Sequence, residues 1–262
     1  QAMYHSHPVR KDAAGTIESI AEITPEHLYR CYNTFYNLNN MALVLSGKFD
    51  VDKVITVCDE MLKPSPLISV KRVFPKEPDT VVRPFIEQKL SVAMPVFQFG
   101  YKEDAKKPRK ETDMAAMSAL LAILASDASP MFRKLLDQGL INETSFSRDY
   151  FEGSGYATVM FGGESRDPEA AAELIRSEVA RLQKEGITEA DFRWAKRSLY
   201  GESISALNHA AGIASWVIDF AFKGMELFTY IDALAGLTLP QVRQKLETLR
   251  DDRSVLSVIW PI

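Results

Sequence analysis

Apolar positions in the first third of the chain recur mostly at helical spacing. In "TPEHLYRCYNTFY" Leu28, Cys31, Tyr32 and Phe35 fall at i, i+3, i+4 and i+7, so one stripe of a helix is apolar. Thr24 is placed to cap that helix, with Pro25 at its first position and Glu26 in its first turn. Upstream, "HPVRKDAAGTIESIAEI" reads as a His-Pro loop followed by a short helix opened by Gly-Thr. After the polar turn "NLNN", the apolar, Gly-terminated run "MALVLSG" predicts a buried strand. "DVDKVITVCDEML" predicts a further helix burying Val54, Val57, Cys58 and Met61. Periodicity then stops. Residues 63–83, with the following Pro84, carry five prolines and are expected to form a linker between domains.

A second unit is expected from residue 84 to 262. "FIEQKLSVAMPVFQFGYK" reads as two strands or one bent strand, with Pro95 at an edge or bulge. "KETDMAAMSALLAILAS" is apolar on most faces, which predicts a buried helix. "SPMFRKLLDQGL" predicts a short helix closed by Gly139, and "NETSFSRDYFEGSGYATVMFGG" a hairpin turning at residues 153–155. No Gly-Lys-Ser/Thr follows those glycines, so they read as a turn and not as a phosphate loop. Asp167, Pro168 and Gly186 bracket a long amphipathic helix. Further helices are expected through "TEADFRWAKRSLYGES", "AAGIASWVIDFAF", "LFTYIDALAG" and "TLPQVRQKLETL", before a terminal apolar strand, "RSVLSVIWPI".

Two passages repeat one grammar. "ITPEHLYRCYNTFYNLNNMALVLSG" and "LTLPQVRQKLETLRDDRSVLSVIWP" each read as a Thr/Pro-capped helix, a polar turn and an apolar strand. The recurrence predicts a duplicated α+β fold. Residues 1–62 are then the C-terminal remnant of a first domain, residues 63–83 the linker, and residues 84–262 a complete second domain. On this expectation the rest of the first domain lies upstream of Gln1, and the remnant exposes apolar surface and self-associates.

Composition narrows the function classes. The chain has 262 residues, 46% of them hydrophobic and 25% charged, with a formal net charge of −4. That balance gives no electrostatic reason for a nucleic-acid or anionic-membrane partner. The apolar run "MAAMSALLAILA" is shorter than the ~20 residues of a membrane span. Cys31 and Cys58 both fall on apolar helix faces, which suits buried free thiols in a reducing, cytoplasmic setting better than a disulfide.

The sequence resembles the pitrilysin/insulinase family of zinc metallopeptidases, in particular its bacterial processing-peptidase-like members. The resemblance is carried by "HPVRKDAAGTIESIAEIT", by "YNTFYNLNNMALVLSGKFD" and by "SPMFRKLLDQGLINETSFS", in that order along nearly the whole chain. It implies two homologous domains, each a mainly antiparallel sheet backed by helices, which enclose a chamber where peptides or unfolded polypeptides are cleaved. The family's catalytic domain carries an inverted motif, His-x-x-Glu-His, whose i, i+4 imidazoles share one helix face and whose Glu serves as general base.

No such motif occurs here. The four histidines are His5, His7, His27 and His209, none with Glu at the required offset. His5-Ser6-His7 reads as a solvated loop, His27 as a surface residue and His209 as a structural one. The helix matching the metal helix is "KETDMAAMSALLAILAS", with Met and Leu where ligands would stand. The resemblance therefore implies a non-catalytic C-terminal portion. It implies no catalytic residue, metal ligand or cofactor in this chain, and zinc in a full-length parent. The family's substrate-contacting Arg and Tyr align with Leu135 and Asn142, and Arg133 is the nearest cation, so Arg133 and Asn142 are the candidate substrate-binding residues. The expected partner is the missing N-terminal half or a homologous subunit. The alternatives are a zinc-less partner subunit of a peptidase and a plain α+β binding module.

Overall fold

The computed structural model describes residues 1–104 and 109–262. They divide into two compact units that differ from the expected boundaries. One comprises residues 1–10, 75–203 and 228–262; the other comprises residues 11–74 and 204–227. The first ten residues thus pack with the later part of the chain, and a segment beyond residue 203 packs with the earlier part. Residues 63–84 contain neither helix nor strand.

The larger unit is built on five strands: β1 (Phe85–Leu90), β2 (Val96–Lys102), β3 (Ser147–Gly153), β4 (Tyr156–Glu164) and β5 (Ser254–Pro261). Their order is β1-β5-β2-β4-β3, antiparallel throughout except for the parallel β1–β5 pair. Pro95 lies between β1 and β2, outside both ladders, and its carbonyl accepts from Ser165 N at 2.9 Å. β2 can therefore be a central strand despite the proline.

Side-chain alternation gives the sheet two unlike faces. Phe97, Phe99 and Tyr101 of β2, Val159 and Phe161 of β4, and Leu256 and Val258 of β5 point to one side and are buried. Complete burial of each such phenylalanine stabilises the fold by about 1.5–3 kcal/mol. On the other side Gln98 is exposed and Met160, Ser257 and Ile259 are half-buried.

Helices cover the apolar side. α4 (Glu111–Ala125) buries Ala115, Met117, Leu120 and Leu124 and packs against α5 (Pro130–Asp137), α10 (Leu239–Leu246) and β3. Because it is enclosed on most sides, it is apolar almost all round. It begins the apolar stretch 111–137, which is 78% buried over its most hydropathic window, as suits a core helix. α6 (Pro168–Glu185) starts where expected: Asp167 accepts from Ala170 N, and Gly186 ends the helix with φ of 85°. Its stripe Ala171, Ile175, Val179 and Leu182 is buried. The β3–β4 hairpin turns through Ser154 and Gly155, whose φ of 82° suits glycine.

The smaller unit holds α1 (Ile17–Ala21), α2 (Pro25–Phe35), α3 (Val51–Met61) and α8 (Ala210–Phe222); α7 (Glu189–Ala206) and α9 (Leu227–Ala235) run across its boundaries. Thr24 caps α2 as expected, accepting from His27 N, and Asp50 caps α3, accepting from Lys53 N. The burial is not as expected. No residue of α2, α3 or α8 is buried, and Leu28 and Met61 are 61% and 75% exposed.

Residues 41–46 form no strand, and Leu43 is 66% exposed. A strand needs a paired neighbour, and among the described residues the smaller unit has none. The two Thr-capped passages therefore agree in their helices, α2 and α10, and differ afterwards: only the second continues into a strand. The cysteines also differ from expectation. Both are free, but Cys31 is exposed and Cys58 only partly buried.

Candidate functional site

The helix that the family resemblance matches to a metal-binding helix, α4, offers no ligand set. Its middle turns present Met117, Leu120, Leu121 and Leu124 to the core. Its acidic groups lie in the first turn, where Asp113 accepts from Lys245 Nζ at 2.9 Å and from Lys110 N at 3.2 Å. The histidines are dispersed. His27 is exposed in the first turn of α2, and His209 is exposed before α8 without a side-chain cap bond. Among the described residues no group of three His, Cys, Asp or Glu could hold a metal ion. The donor set does not fit zinc.

His5-Ser6-His7 is not the solvated loop that its sequence suggests. His7 is only 3% exposed, with its ring beside Tyr4 and Tyr156. Its Nδ1 accepts from Val9 N at 3.1 Å, which leaves Nε2 as the donor to Ser154 O at 3.0 Å. The backbone N–H groups of His5, Ser6 and His7 all donate to the Glu77 carboxylate at 2.8 Å. Lys102, buried at the end of β2, donates to the same carboxylate at 2.7 Å and to the carbonyls of Met3, Pro78 and Thr80. Burial alone would raise the Glu77 pKa, but Lys102 and the three amides outweigh it and hold the carboxyl at about 2. Burial pulls the Lys102 ammonium down, opposed by Glu77. This clasp fastens the first ten residues to the larger unit, together with the Tyr4 hydroxyl, which donates to Ala157 O.

A second buried network joins the α4 N-terminus to α10, to β3 and to the end of β2. Glu103 receives Lys245 Nζ and Arg109, each at 3.1 Å, and the Tyr150 hydroxyl. Arg109 Nε also donates to Tyr150 at 2.8 Å. Burial, and then the Glu103 carboxylate, push the Tyr150 phenol far above its usual range. Asp113 is lowered, because Lys245 outweighs the effect of burial. Such buried charges persist only when partnered on every side, and both networks bind chain segments to one another. One sign of them is local: the alternating strand "VFQFGYKE" ends in two charged residues, Lys102 and Glu103, that are buried.

The two candidate substrate residues lie around the α5–β3 connection. Arg133 is on the exposed side of α5, while Met131, Phe132 and Leu135 fill its buried side. Leu135, at the position where the family has its Arg, is fully buried. Asn142 organises the loop before β3. Its Nδ2 donates to Glu164 at 2.8 Å, and its Oδ1 accepts from Ser145 N at 2.7 Å and from the Thr144 hydroxyl at 2.9 Å. Among the described residues Arg133 and Asn142 share no hydrogen bond or ion pair.

Residues 22–199 match the family model described as the peptidase M16 inactive domain. The chain belongs to this family. A zinc protease of Bacillus subtilis, YmfH, itself uncharacterized, is 34% identical over 266 residues, covering 99% of this chain and 62% of the relative. A chain described as an M16-like peptidase from Alicyclobacillus acidocaldarius has a TM-score of 0.90 at 33% identity, with 100% of this chain and 64% of that chain covered. The peptidase M16 inactive domain from Pseudomonas fluorescens has a TM-score of 0.78 at 18% identity, covering 100% of this chain and 63% of that one, and shows the fold alone. The M16 chain thus spans less than two thirds of the length of these relatives. It has an α+β fold and carries the domain that the family model describes as inactive.

Proposed function

We propose that this M16 chain works as the non-catalytic C-terminal portion of a zinc-dependent peptidase and forms part of the wall of its substrate chamber. The observation that carries the reading is α4: beyond its first turn, in the place that the family resemblance gives to a metal helix, it has no His, Cys, Asp or Glu side chain. The half-open face of the sheet, with Gln98, Met160, Ser257 and Ile259, offers hydrogen-bonding and apolar groups to an unfolded polypeptide. Arg133 and Asn142 belong to the same proposal as substrate contacts. Arg133 is exposed, whereas Asn142 would have to release bonds that it already makes.

The partner is the remaining portion of the protein or a homologous subunit. Apolar residues left uncovered on α2 and α3 support a need for one, and support self-association when it is missing. Two free cysteines suit a cytoplasmic setting. The test is reconstitution. Alone with added zinc, the chain should bind no stoichiometric metal and leave a fluorogenic unstructured peptide intact. Mixed with the complementary portion of YmfH, it should support chelator-sensitive cleavage. Stoichiometric zinc or cleavage by the chain alone would overturn the reading.

A further inference from the structure

The outer edge of β1 carries backbone groups with no partner among the described residues. Pro84 O accepts from Leu256 N at 2.8 Å and Leu90 O from Ile262 N at 3.2 Å, so the even-numbered residues of β1 turn their backbone towards β5. By strand alternation Phe85, Glu87 and Lys89 turn their N–H and C=O groups outward. Beside this edge runs an open groove of about 600 Å³ between β1, β5 and the start of α6. Phe85, Ala170 and Leu256 give it apolar walls.

Its rim is acidic. Asp167 and Glu169 stand at the α6 N-terminus, with Glu173 one turn further on. Among the described residues the one cation lining it, Arg176, is neutralised by Glu173 and Asp251, each at 2.6 Å. The charged residues of β1 do not close the edge to a complementary strand: Glu87 accepts from the Trp260 indole at 2.8 Å, and Lys89 lies near the end of the strand. Charges there disfavour pairing with an identical edge.

We propose that β1 is a docking edge for an extended cationic segment of another polypeptide, which adds as a sixth strand. Main-chain bonds to Phe85, Glu87 and Lys89 hold the segment in place. Alternate side chains of the added strand fall on the groove side, where apolar residues meet Phe85 and Leu256 and a Lys or Arg meets Asp167 and Glu169. The inference does not depend on the peptidase reading, since it uses none of the residues assigned to the chamber.

Fluorescence anisotropy with a labelled eight-residue valine–lysine peptide, Thr-Val-Thr-Val-Thr-Lys-Thr-Lys, tests it, because every second residue places both valine and lysine on one face. The probe should bind, and N-methylation of the alternate amides that face β1 should weaken binding at least tenfold. A valine–glutamate counterpart should bind at least tenfold more weakly. Lys89→Pro removes an outward N–H without touching the β1–β5 ladder and should weaken binding about tenfold, while Lys89→Ala should retain it. Glu169→Lys should weaken binding several-fold. No binding of the valine–lysine probe, equal binding of its N-methylated form, or equal binding of the glutamate peptide would overturn the proposal. Should Lys89→Pro fail to fold, the N-methylated peptide decides the matter on the unaltered protein.

Discussion

α6 and α2 obey the same local rules. Each has an oxygen-bearing cap followed by proline, and each has an amphipathic stripe. In the larger unit α6 buries Ala171, Ile175, Val179 and Leu182, whereas in the smaller unit α2 buries nothing. β5 and residues 41–46 differ in the same way. Both are apolar runs after a Thr-capped helix, but β5 lies between β1 and β2, whereas 41–46 is left without a ladder. Helices are made locally and covered afterwards, while strands exist only by pairing. An amphipathic pattern therefore says which face must be covered and leaves open what covers it.

The largest expected effect comes from truncating equivalent aromatics in the two units. Phe161→Ala should cost about 3–5 kcal/mol in chemical denaturation, because the ring is fully buried and leaves a cavity. Phe35→Ala should change stability by less than about 0.5 kcal/mol, since Phe35 is exposed. Equal costs would break the contrast.

The Glu77 clasp is the next largest. Glu77→Gln should cost about 3 kcal/mol, because Lys102 is left buried without its counter-charge. The linkage has a definite sign. The folded pKa of Glu77 lies below the unfolded value, so its contribution is complete above pH of about 4.5 and is lost as pH falls towards 2. Unfolding midpoints measured across that window should fall with pH, and should fall less in the Glu77→Gln variant.

Smaller effects separate the two candidate substrate residues. Asn142→Ala should cost about 1–2 kcal/mol, because three hydrogen bonds of the loop before β3 are lost. Arg133→Ala should stay within about 0.5 kcal/mol and can report only on substrate. The smallest effect is chemical. At dilutions where the chain is monomeric, Cys31 should react with iodoacetamide close to the rate of an unfolded thiol, and Cys58 more slowly. Complete protection of both would mean that α2 and α3 are covered in solution.

Much of the fold was legible where the signal is local. The Asp167–Pro168–Gly186 frame located α6, and the continuous apolar run of α4 showed a helix enclosed on most sides. The Ser154–Gly155 turn placed the hairpin. Burial in the smaller unit was not legible, because the spacing of Leu28, Cys31 and Tyr32 is the same whether or not a neighbour is present. The candidate site was legible mainly as an absence, the missing His-x-x-Glu-His. Its charge networks join residues far apart, Glu103 with Lys245 and Glu77 with Lys102, and no sequence window contains both partners. In the sequence His7 reads as part of a solvated loop, because its cage is formed by Tyr4 and Tyr156, and Tyr156 is distant along the chain.

Hydrogen exchange read by mass spectrometry tests the contrast most directly, because it reports local opening along the whole chain. The account expects slow exchange in β2, β4, β5 and α4, and exchange many times faster in α2, α3 and residues 41–46. Equal, strong protection of both sets in the monomeric chain would contradict it.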